Sequence, residues 1–250
     1  MRKEFDKLYY DGHGDLGDSF ITSGIVHHYA KKTNKLHVSI SPKNGKTLRC
    51  LYQDYKNIKL FDYENEEQID QYVKLHNLSR VVIPKLQTHS VRGLYFHPLW
   101  DVQCYTLMDL SYSIRYENFK LPKHINGCEE LYQKLIGDGT PYILLHKTTG
   151  EHPQGIPINV EGFRYSIGLP PLRIIEIDPS LDDYNMLKWV KLIENAAEIH
   201  VVPSSFHCLV DSIHTNAKLF YHDAREKVSM LVNSEWNNFK WNIVHYDQKF

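Results

Sequence analysis

The chain has 250 residues, 42% hydrophobic and 24% charged, enough for one large domain or two modest ones, each with its own core. A formal net charge of −1, with basic residues scattered along the chain, argues against a general nucleic-acid binder. Four widely spaced cysteines (Cys50, Cys104, Cys128, Cys208) form no C-x-x-C pair, which speaks against a zinc site or a disulfide framework and for a reducing compartment. The N-terminal residues lack the apolar core of a signal peptide, and no apolar run approaches the ~18 residues that span a bilayer. A soluble, cytoplasmic protein is therefore expected.

In chain order, the apolar run Leu8-Tyr9-Tyr10 leads into Asp11-Gly12-His13-Gly14-Asp15-Leu16-Gly17-Asp18, after which Phe20, Ile21, Ile25, Val26 and Tyr29 follow at helical spacing. This predicts strand, tight loop and helix, with Asp18 or Ser19 capping the first turn. Ligands of such units bind at the carboxyl ends of the strands, where helix N-termini point. Residues 12–17 spell G-x-G-x-x-G, but no acidic residue ends a second strand about twenty residues on, and two carboxylates in the loop would repel a pyrophosphate. A dinucleotide site is therefore not inferred.

Further strands are expected at Leu36–Ile40, Ile58–Phe61 and Arg80–Pro84, with helices at Asn44–Tyr52 and Glu66–His76 between them. That alternation implies a mostly parallel sheet covered on both faces. Residues 85–124 break the rhythm with many aromatics and turn formers, and read as a crossover and partial lid, or as an aromatic-packed linker. The pattern restarts with a helix at Gly127–Leu135 and a buried strand at Tyr142–His146, followed by the polar loop Lys147-Thr148-Thr149-Gly150. Strands are expected again at Arg173–Ile177, Ile199–Val202 and Lys218–Tyr221, the last of the chain, with helices at Asp182–Asn195 and Phe206–His214. The expected architecture is α/β, with two Rossmann-like halves, 1–124 and 125–250, facing each other across a cleft.

Three loops that leave strands carry chemistry. Beyond the first turn, with Asp15 and Asp18, these are His146-Lys147-Thr148-Thr149 and Pro203-Ser204-Ser205-Phe206-His207. Ser204 and Ser205 open a helix, so hydroxyls and amide groups there would meet an anion together, as suits a diphosphate, or one serine simply caps the helix. His207, one turn further, could face a ligand or the core; His27, His28 and His214 read as packing or surface residues. The sequence has no P-loop, nucleophile elbow, H-E-x-x-H or D-x-D carboxylate pair, so no metal site and no cofactor are expected.

Taken together, these segments resemble glycosyltransferases of the two-domain GT-B type. The likeness is to small chains of this kind from bacteria and large viruses and, more distantly, to the heptosyltransferases that use ADP-heptose. It rests on Gly14-Asp15-Leu16-Gly17-Asp18, on Tyr105 through Phe119, on Tyr142 through His146, and above all on Leu192-Ile193-Glu194-Asn195-Ala196 through Ser204-Ser205-Phe206. The resemblance implies a nucleotide-diphospho-sugar co-substrate held by the C-terminal half, and a glycan or small-molecule acceptor held by the N-terminal half. It also implies inverting, metal-independent transfer, of the hexosyl- or pentosyltransferase class. Asp18 matches the family's general base, with Asp15 the competing carboxylate, and Thr148-Thr149 match its phosphate-contacting threonines. Gly17, His146, Lys147, Ser204, Ser205, Phe206 and His207 complete the expected donor-binding set. Pro203 departs from the pattern, standing where related chains carry aspartate. A hydrolysing nucleotide-sugar epimerase on the same fold, or a non-catalytic nucleotide-sugar or glycan binder, are the alternatives.

Overall fold

A computed structural model describes residues 4–11, 15–82, 90–91, 94–95, 100–224 and 240–246. The loop glycines Gly12 and Gly14 therefore lie outside the described residues, as do residues 85–89, 92–93 and 96–99 of the expected crossover. The chain divides into two compact units, one formed by Met1–Tyr95 with Trp100–Ile125, the other dominated by Asn126–Phe250.

The first unit begins with β1 (Phe5–Asp11) and α1 (Leu16–Lys32), followed by β2 (Thr33–Ile40), α2 (Gly45–Leu51), β3 (Ile58–Asp62), α3 (Glu66–His76) and β4 (Ser79–Val82). The strands form a wholly parallel sheet in the order β3-β2-β1-β4, with Leu8 beside Leu36 and Tyr10 beside Val38. α3 shows local consistency at both ends. Asn65 caps it by accepting a bond from the Gln68 amide, and Asn77 ends it in the left-handed region at φ 51°.

Two expectations at α1 are corrected. Its N-cap is Asp15, without a side-chain cap bond, whereas Asp18 and Ser19 lie inside the first turn; Ser19 donates back to the Asp15 carbonyl. Nor does α1 bury only one apolar stripe. Residues Phe20 through His27 are all buried, Thr22, Ser23 and His27 included.

The cause is a second layer made by residues expected to form a linker or lid. After the two-residue strands β5 (Ser90–Val91) and β6 (Leu94–Tyr95), α4 (Trp100–Thr106) and α5 (Ile114–Glu117) pack on α1. The Tyr105 hydroxyl donates to the Ile21 carbonyl at 2.6 Å, and His27 Nδ1 bonds the Asn118 carbonyl at 2.7 Å. Buried Arg115 pairs with Asp101 at 2.8 Å. The described part of the crossover is thus a packing layer of the first unit.

Gly24 permits this approach, because a Cβ there would meet the Ile114 carbonyl oxygen at 2.6 Å and the Tyr105 hydroxyl at 2.7 Å. Gly24→Ala is expected to cost about 1–3 kcal/mol through overpacking, outweighing its gain in helix propensity; urea denaturation measures it.

The second unit runs α6 (Cys128–Leu135), β7 (Tyr142–His146), α7 (Val160–Ser166), β8 (Arg173–Glu176), α8 (Val190–Asn195), β9 (Glu198–Val201), α9 (Ser205–Ser212), β10 (Lys218–Asp223) and β11 (Trp241–His245). Its sheet is also wholly parallel, in the order β11-β10-β9-β7-β8. β7 and β9 are buried along their full length, as expected of central strands covered on both faces. The helix expected over 182–195 is shorter. Asp183 and Tyr184 take positive φ, Asp182 accepts from the Trp189 indole at 2.8 Å, and a 3-10 turn at Met186–Trp189 precedes α8.

The expected last strand is followed by another, β11, which also anchors α9. The Lys240 ammonium donates to the carbonyls of Val210, Asp211 and Ile213 at the C-terminal end of α9, and the Trp241 indole donates to Asp211 at 2.9 Å. Among the described residues, no helix is long and apolar enough to cross a membrane.

Candidate functional site

In the first unit the chemistry gathers at the carboxyl edge of the sheet. Asp15 follows β1, Ser41-Pro42-Lys43 follow β2, and Tyr63-Glu64 follow β3; together they line a shallow, open depression. Asp15 is exposed and ion-paired with Lys43 at 3.0 Å. Gly17 is the second residue of α1 and Asp18 the third.

Asp18 is in a different situation from Asp15. Its carboxyl is only partly exposed, and no described side chain pairs with it. Burial, helped by the negative charge of Asp15, pushes its pKa up to about 7. A carboxylate so placed titrates near neutrality, in the range that suits a general base. Of the two candidates, the structure thus makes Asp18 the perturbed carboxyl and Asp15 a solvent-exposed ion-pair partner. Sequence reasoning missed Ser41, Lys43, Tyr63 and Glu64, whose only signal was their position just after strands β2 and β3.

In the second unit, the two expected donor loops follow adjacent strands, with His146 beside Val201. They meet through the His146 ring. Its Nδ1 lies 3.2 Å from the Ser204 hydroxyl and its Nε2 3.4 Å from that of Thr148, while its face stacks on Phe206 at 4.9 Å between centroids. Burial pushes its pKa down to about 4, so the ring is neutral at pH 7 and bridges the two hydroxyls without adding charge.

Ser204 is the N-cap of α9, its Oγ accepting from the His207 amide at 3.3 Å. The cap leaves the amides of Ser205 and Phe206, the first two of the helix, as donors that the helix itself does not use. Cap and anion site are therefore compatible here. Pro203 precedes the cap, where a missing N–H removes none of the helix's orphan donors.

The remaining expected donor residues are held by neighbours. Lys147 pairs with Glu176 at the end of β8 at 2.9 Å, and its stem covers Gly155. Thr149 closes its own turn, its Oγ1 accepting from the His152 amide at 3.0 Å. His207 belongs to the core, its ring 4.9 Å from that of Tyr221 and 4.6 Å from that of Trp241. Of the histidines read as packing or surface, His27 is buried, His28 half-buried and His214 exposed. No group of three or more His, Cys, Asp or Glu among the described residues is arranged to hold a metal ion.

Two parallel α/β units with polar loops at the carboxyl edges of both sheets define the GT-B class of fold, which is that of the solved structures this chain resembles. ADP-heptose lipopolysaccharide heptosyltransferase II of E. coli aligns at a TM-score of 0.57 and 10% identity, over 96% of this chain and 90% of that one. A glycosyl transferase family 9 protein from Veillonella parvula DSM 2008 aligns at 0.51 and 9%, over 98% and 87%. The iron-containing dodecameric glycosyltransferase TibC of enterotoxigenic E. coli H10407 aligns at 0.50 and 12%, over 88% of this chain. The chain spans 58% of the length of TibC, a protein also seen in complex with ADP-D-β-D-heptose. At these identities the likeness is one of fold. No protein-family model and no curated protein matches the sequence.

Proposed function

We propose that this protein is a glycosyltransferase that moves a sugar from a nucleotide-diphospho-sugar to an acceptor hydroxyl, with inversion and without a metal. The observation that carries the proposal is the junction at His146, which joins the Thr148 loop to the Ser204-capped start of α9 at the carboxyl edge of a GT-B-type unit. The second unit supplies the diphosphate site, and the depression beside Asp15 on the first takes a glycan or small-molecule acceptor. The acceptor oxygen attacks the anomeric carbon while its proton passes to the Asp18 carboxylate. The bond from that carbon to the diphosphate oxygen breaks, and its electron pair leaves with the diphosphate. The amides of Ser205 and Phe206 stabilise that charge electrostatically. The work is done in the cytoplasm, with no cofactor beyond the sugar nucleotide itself.

A thermal-shift series with UDP, GDP, ADP, CDP and their sugar forms, ADP-heptose among them, tests this with and without EDTA. A ligand at 100 times its Kd is expected to stabilise the protein by about 2.7 kcal/mol, and the shift should survive EDTA. Ser204→Ala should cost about 1 kcal/mol of stability through the lost cap and blunt the shift as well. No shift with any nucleotide would sink the donor site. A shift without turnover would favour a sugar-nucleotide binder, the second reading that Pro203 supports by replacing the usual aspartate.

A further inference from the structure

On the face of the second sheet that α7 covers, a row of polar side chains crosses three strands. Glu198 and His200 come from β9, His222 from β10, and Tyr246 follows β11 directly. Glu198, His200 and His222 are buried, with the Phe163 ring of α7 against both histidines. Arg164, also buried, binds the Glu198 carboxylate and the Pro170 carbonyl.

The chemistry of these groups fixes the direction of every bond in the row. A carboxylate paired with arginine only accepts, so His200, whose Nε2 lies 3.4 Å from Glu198 Oε2, carries its proton on Nε2. Burial pushes the pKa of both histidines down to about 3, so each ring is neutral and has one donor and one acceptor nitrogen. His200 Nδ1 is therefore an acceptor, and His222 Nε2, 2.8 Å away, donates to it. His222 Nδ1 must then accept, and its partner at 2.7 Å is the Tyr246 hydroxyl. The ion pair at one end thus dictates that the Tyr246 proton points inward at the other. Toward any further partner, this phenol oxygen acts only as an acceptor.

Tyr246 is half-buried and stands beside the donor loops. It packs with Ile156, Val202 and Ala224. The Ile156 amide bonds the Lys147 carbonyl, and Val202 lies two residues before Ser204. β11 is two strands from β9, about 10 Å along the carboxyl edge, comparable to the reach of a nucleoside from its own diphosphate.

We propose that Tyr246 is a specificity-determining residue whose hydroxyl accepts a hydrogen bond from the nucleoside of the donor, from a base amino group or a ribose hydroxyl. The assignment rests on the donor-site reading above. Its test is calorimetric titration of the full chain with ADP, GDP, UDP and CDP. The tightest binder is then compared with its 2′-deoxy and 3′-deoxy forms and with the form lacking the base amino or imino donor. Tyr246→Phe keeps the packed ring, which a thermal melt verifies, and is expected to weaken the parent diphosphate about tenfold. One analogue should bind the variant and the unaltered protein equally, because the group it lacks is the one Tyr246 contacts. Unchanged affinity in Tyr246→Phe, or the same loss for every analogue, overturns the assignment. Binding lost in Ser204→Ala but kept in Tyr246→Phe overturns this inference alone. If the unaltered protein binds none of the four diphosphates, the donor-site reading falls and this assignment falls with it.

Discussion

Replacing Asp18 by asparagine should lower kcat by about 10²–10⁴, the usual contribution of a general base, while donor affinity measured by titration stays unchanged. The same substitution should make the protein more stable at pH 8. The folded-state pKa of Asp18, about 7, lies above its ordinary value of 3.8, so the folded protein favours the protonated carboxyl. Below pH 3.8 both states are protonated and the carboxyl costs nothing. Stability then falls as the pH rises toward 7, and above that the full cost of holding a half-buried carboxylate persists. Three pH units correspond to about 4 kcal/mol, and contact with water reduces the expected gain of Asp18→Asn to about 2–3 kcal/mol. Denaturation at pH 4 and pH 8 should show the variant and the parent converging at the lower value. For turnover the direction is opposite, since kcat/KM must rise with pH and level off above about 7 as the base ionises. Full activity in Asp18→Asn would remove Asp18 from the chemistry. Activity lost without the stability gain would mean that its carboxyl is not desolvated.

Glu198→Ala should cost about 3–5 kcal/mol, because it leaves the buried Arg164 guanidinium with the Pro170 carbonyl and no counter-charge. Urea titration at pH 7 measures the loss. The pair itself is a weak source of stability, since its attraction is set against the desolvation of both ions. The double variant Arg164→Met/Glu198→Leu should therefore recover most of that loss. It should not recover the directed hydrogen bonds, so the recovered protein should still discriminate poorly among nucleosides. A single variant as stable as the parent would mean that water reaches Arg164 in the folded state.

What the sequence disclosed follows from which forces act locally. Tyr142-Ile143-Leu144-Leu145 is legible as a central strand because every residue is apolar and all are buried. α3 is legible because its cap and its apolar face agree. α7 was missed: Val160-Glu161-Gly162-Phe163 combines a β-branched residue and a glycine, and packing rather than propensity makes it helical. β11 was missed because Asn242 and Ile243 on this edge strand are exposed and its spacing mimics a loop. At the site, Asp18, Thr148 and Ser204 could be singled out, since the residues after a strand and before a helix are distinguished by position. Their pairings could not. Nothing in residues 142–150 states that His146 will reach Ser204, 58 residues further on. The polar row had one legible trace, Glu198 and His200 at alternate positions of β9 and His222 after the apolar run of β10, but its direction depends on Arg164 from a different element.

α9 has eight residues and is engaged at both ends. Lys240 places an ammonium against its last carbonyls, the end where a helix dipole favours positive charge, while its first amides are the ones offered to an anion. In the proposed donor site, a diphosphate at one end and the seating of β11 at the other bias the same dipole and the same helix position. Thermodynamic reciprocity then requires that, if the seating of β11 raises the affinity for a diphosphate by some factor, a bound diphosphate favours that seating by the same factor. With a donor bound as proposed, β11 thereby acquires a share in the binding constant apart from any contact made by Tyr246 beside it, and donor occupancy becomes part of what keeps that strand in place.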